Sequence, residues 1–175
     1  MGLFGKLFGK KQRENTPPPQ DDCIYWESPF DRFVFEKYDC GYGGEVQWYE
    51  DDGAEKIDIY FDTDTPETLD AGSCYARLEQ LLLNKLQTDI EVKQAAARYF
   101  MARPDMVDEK HPTEESQMLD MEIDGIYVYR NGNTEISLEA HGVYASEINV
   151  IYRADGSKGI RYHSYDDEQS HTDTL

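Results

Sequence analysis

Cysteine is scarce in this chain, long apolar runs are missing, and basic residues thin out after the first few positions. Each shortage removes a class of function. The three cysteines, Cys23, Cys40 and Cys74, are odd in number and widely spaced. There is no CxxC and no Cys/His spacing of the zinc-finger kind, so no metal ligand set is expected, and the thiols are expected to stay reduced. No apolar run approaches the ~20 residues that span a bilayer. With no secretory signal in view, the expected location is cytoplasmic. Catalytic signatures are missing too: there is no GxSxG, no HExxH and no phosphate-binding P-loop. No cofactor is expected.

Positive charge is the largest shortage. The sequence holds 17 Lys and Arg against 36 Asp and Glu, a net charge of −19. Residues 1–13 carry Lys6, Lys10, Lys11 and Arg13 with no acid, which leaves 13 basic against 36 acidic side chains in the rest, a net of −23. A body that acidic repels phosphate, so nucleic acid is not an expected partner. Two readings of the acidity remain. It keeps the protein dissolved, or it draws in a basic protein partner by fast, salt-sensitive association.

What is present begins with one long helical signal, Thr65 to Arg103. Apolar residues recur at Ala71, Tyr75, Leu78, Leu82 and Leu86, which places them on one helix face. A weaker stripe follows at Ile90, Ala97, Phe100 and Met101, and a break is expected near Gln87–Asp89. Thr65 suits a cap, Pro66 the first helical position and Glu67 the first turn. On either side lie strand patterns. Phe33 to Phe35 is a short apolar run, and Gly41 to Gly44 is expected to break the chain. Glu45–Glu50 and Lys56–Phe61 alternate around an Asp-Gly turn, as a hairpin does. After a polar loop from Asp105 to Gln117, further strands are expected. These are Met121 to Tyr129 with a bulge at Gly125, Thr134 to Glu139 behind an Asn-Gly turn, Glu147 to Tyr152, and Ile160 to His163. The expected fold is therefore α+β. An antiparallel sheet, built from an N-terminal hairpin and a C-terminal four-strand meander, is covered by a central helical pair.

Four segments follow from the composition: a basic amphipathic stretch (1–13), a Pro-rich linker (14–22), one α+β domain (23–165) and an acidic tail (166–175) expected to be disordered. In the first, Leu3, Phe4, Leu7 and Phe8 share a helical face, with Lys6, Lys10 and Lys11 largely elsewhere. Such a segment suits weak contact of residues 1–11 with an anionic membrane surface, at the inner face of the membrane. Against it, Gly2, Gly5 and Gly9 each cost roughly 1 kcal/mol of helix propensity.

Four constellations carry conceivable chemistry. Asp62, Asp64 and Glu67 lie close together, but helix capping accounts for Asp64 and Glu67 without a cation. Cys74 falls beside the apolar stripe, where packing explains it. Glu139 and His141, with His163 on a later strand, form a possible acid–base group for a hydrolase, although no nucleophile or oxyanion donor accompanies them. Tyrosine is heavily used, with 13 in the chain. Tyr49, Tyr60, Tyr127 and Tyr129 fall on expected strands or at their ends, and exposed tyrosines suit an interface. Asp108 and Glu109, in the acidic loop, are added to them as binding candidates.

Residues 30–163 also resemble a bacterial domain-of-unknown-function family. The likeness rests on the Phe33–Phe35 start, Glu45-Val-Gln-Trp48, Lys56 to Phe61, the helix ending in Ala95-Ala-Ala-Arg-Tyr99, Ile126-Tyr-Val-Tyr129 and Thr134 to Leu138. It implies a small cytoplasmic α+β protein, in some members of the immunity kind that neutralises a partner, and it assigns no reaction. The leading expectation is thus a non-enzymatic, acidic protein-binding domain of immunity or regulatory type. A membrane-surface accessory protein and a hydrolase are the alternatives. The sequence specifies no oligomeric state.

Overall fold

The chain's period-two segments meet in one sheet. A computed structural model describes residues 23–50, 54–66, 69–103, 106, 109–141, 145–164 and 169–175. Its elements are β1 (Tyr25–Glu27), β2 (Arg32–Glu36), β3 (Gly41–Val46), β4 (Ile57–Asp62), α1 (Leu69–Leu83), α2 (Lys85–Met101), α3 (Glu114–Leu119), β5 (Met121–Val128), β6 (Thr134–Ala140), β7 (Ala145–Tyr152), β8 (Lys158–Ser164) and β9 (Ser170–Thr174). The nine strands lie side by side in chain order. Neighbours are antiparallel except β4 and β5, which run parallel. The parallel pair has a topological cause. The helices are the connection between these two strands, and they carry the chain back across the sheet, so that β5 enters at the end where β4 began.

The expected α+β class and antiparallel character hold. The sheet is larger than the expected hairpin plus four-strand meander: β1 and β9 are added at its edges, β2 forms on the Phe33–Phe35 run, β3 spans Gly41–Val46 rather than 45–50, and β4 meets β5 in parallel. The Gly41–Gly44 stretch is strand rather than break. Its glycines are tolerated because neighbouring side chains fill the space: a Cβ on Gly41 would stand 2.4 Å from the Tyr60 ring, and one on Gly43 2.3 Å from the Glu36 carboxylate. The Asp-Gly turn expected at 51–53 lies outside the described residues. The tail also departs from expectation, since Ser170–Thr174 pairs with β8 as an edge strand.

The helical break falls at Asn84, ahead of the expected Gln87–Asp89. Asn84 leaves helical geometry at φ −114, ψ 33, and its side-chain amide donates to the Gln80 carbonyl at 2.7 Å. This is the local competition with the helix ladder that asparagine offers. Because the break comes early, Leu86 and Ile90 leave the buried stripe and are 76% and 41% exposed. Thr88 lies within α2 and is buried. Thr65 and Pro66, expected as cap and first helical residue, lie in a turn ahead of α1, whose described part begins at Leu69, and Glu67 lies outside the described residues. The short α3 carries a capping box between Thr113 and Ser116.

The core lies between helices and sheet. Ile57, Ile59 and Phe61 of β4 alternate inward against Ala71, Cys74, Leu78 and Leu82 of α1. Trp26, Phe33, Tyr42, Phe61 and Tyr75 form an aromatic cluster with ring centres 5.0–6.5 Å apart. Truncating a ring like Phe61, fully buried, typically costs about 3–5 kcal/mol. Among the described residues no helix is long and apolar enough to cross a membrane.

Candidate functional site

The alternation that buries one side of each strand sends a different set of residues to the face that carries no helices. On β4 that set is Asp58, Tyr60 and Asp62, and on β5 it is Glu122, Gly125 and Tyr127. Parallel register places Tyr60 beside Tyr127 and Asp58 beside Gly125. Antiparallel register then sets Tyr127 opposite Glu135, Glu122 opposite Glu139, and Glu139 opposite Glu147. Asp124 occupies the bulge between Ile123 and Gly125, so it too joins this face, where its carboxylate accepts from the Ser137 hydroxyl. Tyr129 follows just past β5.

Two of the tyrosines lie flat. The Tyr60 ring covers Gly41, and its hydroxyl donates to the Asp39 carbonyl at 2.5 Å. Tyr127 lies back over Gly125, where a Cβ would stand 2.7 Å from its hydroxyl. Glycine opposite or beside an aromatic is a recurrent sheet device, in which the ring covers backbone that no side chain protects. These rings are thereby fixed before any partner arrives.

The electrostatics are one-sided. Loss of water, then the nearby Asp62 and Asp39 carboxylates, push the Tyr60 hydroxyl up to about 12. Burial raises Tyr127, with Asp124 and Asp58 adding to it, and burial with Glu135 raises Tyr129. All three stay protonated through the physiological range. Asp124 is also raised, first by loss of water and further by Glu139 and Glu147, with the Ser137 hydrogen bond opposing. The arginines of this face are paired: Arg161 with Glu135, Arg130 with Asp62 and Asp64, and Arg32 with Glu27. Among the described residues, no Lys or Arg pairs with Asp58, Glu122, Asp124, Glu139 or Glu147.

The tyrosine candidates therefore divide. Tyr60, Tyr127 and Tyr129 come together, but Tyr49 belongs to the helix side. Its hydroxyl accepts from the Ile123 N–H at 2.7 Å and donates to Asp89 at 3.0 Å, a tie between α2 and the sheet. Glu109 is exposed in a turn, and Asp108 lies outside the described residues. Farther on, in α3, Glu114 receives Arg98 and Gln94, and Gln117 is fully buried. Leu3, Phe4, Lys6, Leu7, Phe8, Lys10 and Lys11 also lie outside the described residues. Sequence reasoning passed over Asp58, Glu122, Asp124 and Glu147. The alternation of β4 and β7 was the available signal, but which strands would be neighbours was not.

The acid–base group does not assemble. Glu139 and His141 stand 3.8 Å apart, both more than half exposed. His163 lies on β8 opposite Glu147, with β7 between it and the strand of Glu139. A cleft of about 620 Å³ opens at the α1–α2 junction beside Trp48, Leu83, Leu86 and Ile90, and none of those three residues lines it. Cys74 is buried, and burial pushes its thiol up, as packing requires. No group of three His, Cys, Asp or Glu among the described residues is placed to hold a metal ion. No protein-family model, no curated protein and no solved structure matches the chain.

Proposed function

We propose that the chain is a protein-binding domain that holds a basic partner on the open face of its sheet, in the immunity or regulatory manner that the family resemblance implies. One observation carries this reading: Asp58, Glu122, Asp124, Glu139 and Glu147 surround flat, fixed tyrosines, with no Lys or Arg of the described residues paired to any of them. Carboxylates held side by side across a sheet repel one another. An arriving cationic surface relieves that repulsion, so the same charges speed encounter and set orientation. The tyrosines supply contact area. Their rings are already ordered, so little side-chain freedom is lost on binding.

The test is affinity capture from native extract with the full chain, run at about 50 mM and about 500 mM salt, beside an Asp58→Asn/Glu139→Gln/Glu147→Gln variant. A basic protein retained at low salt, released at high salt and not retained by the variant is the expected result. Equal retention by the variant would place the contact elsewhere and end this reading.

A further inference from the structure

We infer that the partner's anchor is an arginine side chain, seated on the Tyr127 ring between Asp58 and Asp124. This rests on the open-face reading and adds the chemistry of the contact. The chain's own packing supplies the argument. The Arg32 guanidinium stands 3.4 Å from the centre of the Tyr25 ring and pairs with Glu27 at 2.9 Å. The Arg103 guanidinium stands 3.5 Å from the centre of the Tyr99 ring and pairs with Asp173 at 3.1 Å. Lys93 lies 5.2 Å from the Tyr49 ring and pairs with Asp89 at 3.0 Å. In these three a tyrosine face and a carboxylate share one cation, whereas Lys158, 4.8 Å from the Tyr152 ring, has no carboxylate paired to it among the described residues. The ring's negative face and the carboxylate both attract the charge, and the ring strips little water from a carboxylate that stays at its edge.

Tyr127 has the first two parts of this arrangement. Asp58 and Asp124 both lie near enough to act electrostatically on its hydroxyl, and Gly125 beneath the ring lets it lie along the sheet. Among the described residues no arginine or lysine stands over it. The cation nearest in register, Arg161, reaches across β7 and is held by Glu135, the β6 residue opposite Tyr127. The third part must come from the partner.

Two carboxylates on separate strands select between cations. A planar guanidinium stacks on the ring and directs N–H groups to both sides in its own plane. A lysine ammonium is a strongly hydrated point charge that gains less from the ring and cannot span two acceptors in one plane.

The experiment titrates the full chain with a short Arg-Gly repeat peptide and with its Lys-Gly counterpart of equal charge, by calorimetry at low salt. The Arg peptide is expected to bind about tenfold more tightly, the gap a desolvated cation–π contact supports. Tyr127→Phe keeps the gap, whereas Tyr127→Leu and Asp58→Asn each close it, with unfolding curves run alongside to establish that the variants fold. Equal affinity of the two peptides, or a gap unchanged in folded Tyr127→Leu, overturns the arginine anchor and leaves the acidic face standing. Failure of both peptides to bind overturns the face along with the anchor.

Discussion

Asp124 carries two opposed demands. As a member of the open face it adds negative charge for a partner. As a bulge residue stripped of part of its water and faced by Glu139 and Glu147, its carboxyl is held above its ordinary value of 3.8. The sign of the consequence follows from proton counts. Between 3.8 and the raised value the folded chain binds more protons than the unfolded one, so stability falls as pH rises through that window. Asp124→Asn removes the conflict. The variant is expected to be the more stable protein at neutral pH and indistinguishable from the parent at acid pH below the window, while its affinity for a basic peptide drops. Urea midpoints across a pH series, with the peptide titration repeated on the variant, check both halves. A variant less stable than the parent at neutral pH would mean that the Ser137 hydrogen bond outweighs the repulsion. Tyr49 makes the complementary point about single residues. It alternates on the same footing as Tyr60 in the sequence, but only the neighbours Asp89 and Ile123, distant in the chain, decide that its hydroxyl is a structural tie.

At the scale of elements, the edge strand β9 is the least expected piece and the most easily tested. Ser-His-Thr-Asp-Thr has no apolar alternation, so nothing in it announces a strand. Its partners do the specifying. The Tyr99 hydroxyl, on a side chain only 5% exposed, donates to Asp173. Arg103 pairs with the same carboxylate, and His171 stacks on Tyr162 with ring centres 5.1 Å apart. Asp173→Ala leaves a buried hydroxyl without its acceptor and is expected to cost about 1–2 kcal/mol in chemical denaturation. Amide exchange at Ser170–Thr174 should quicken in the same variant, and unchanged exchange there would show that β9 is held by its backbone ladder alone. Other elements were legible to different degrees for the same kind of reason. The Asn-Gly turn and the strands β5 to β8 were readable because their apolar residues alternate locally. β3 was hidden by glycines whose missing side chains are replaced by Tyr60 and Glu36, and the helix break was displaced because Asn84 competes through its own side chain. The candidate face was half legible. Its tyrosines could be named, while its carboxylates became a group only through register between strands far apart in the chain.

For the whole molecule, the charge that recommends the open face also works against the fold. A net charge of −19 repels itself most where the chain is compact, and the row Glu122, Glu139 and Glu147, to which no Lys or Arg of the described residues is paired, adds to that repulsion on one side of the sheet. Salt acts on both effects through the same screening, with opposite results. Raising sodium chloride from about 20 mM to about 500 mM shortens the Debye length from roughly 20 Å to roughly 4 Å. The thermal midpoint of the free chain should rise over that range while retention of a basic partner falls. The Asp58→Asn/Glu139→Gln/Glu147→Gln variant should start from a higher midpoint and respond less to salt, because part of the repulsion that salt relieves is already gone. The rival outcome is a midpoint that falls with salt. That would mean the marginal pairs, Arg130 with Asp62 and Asp64 and Arg161 with Glu135, dominate the fold's electrostatics. Pairs whose arginines stay open to solvent are worth little each. The excess of acids is spread over the whole body, so the rising midpoint is the outcome the charge distribution favours.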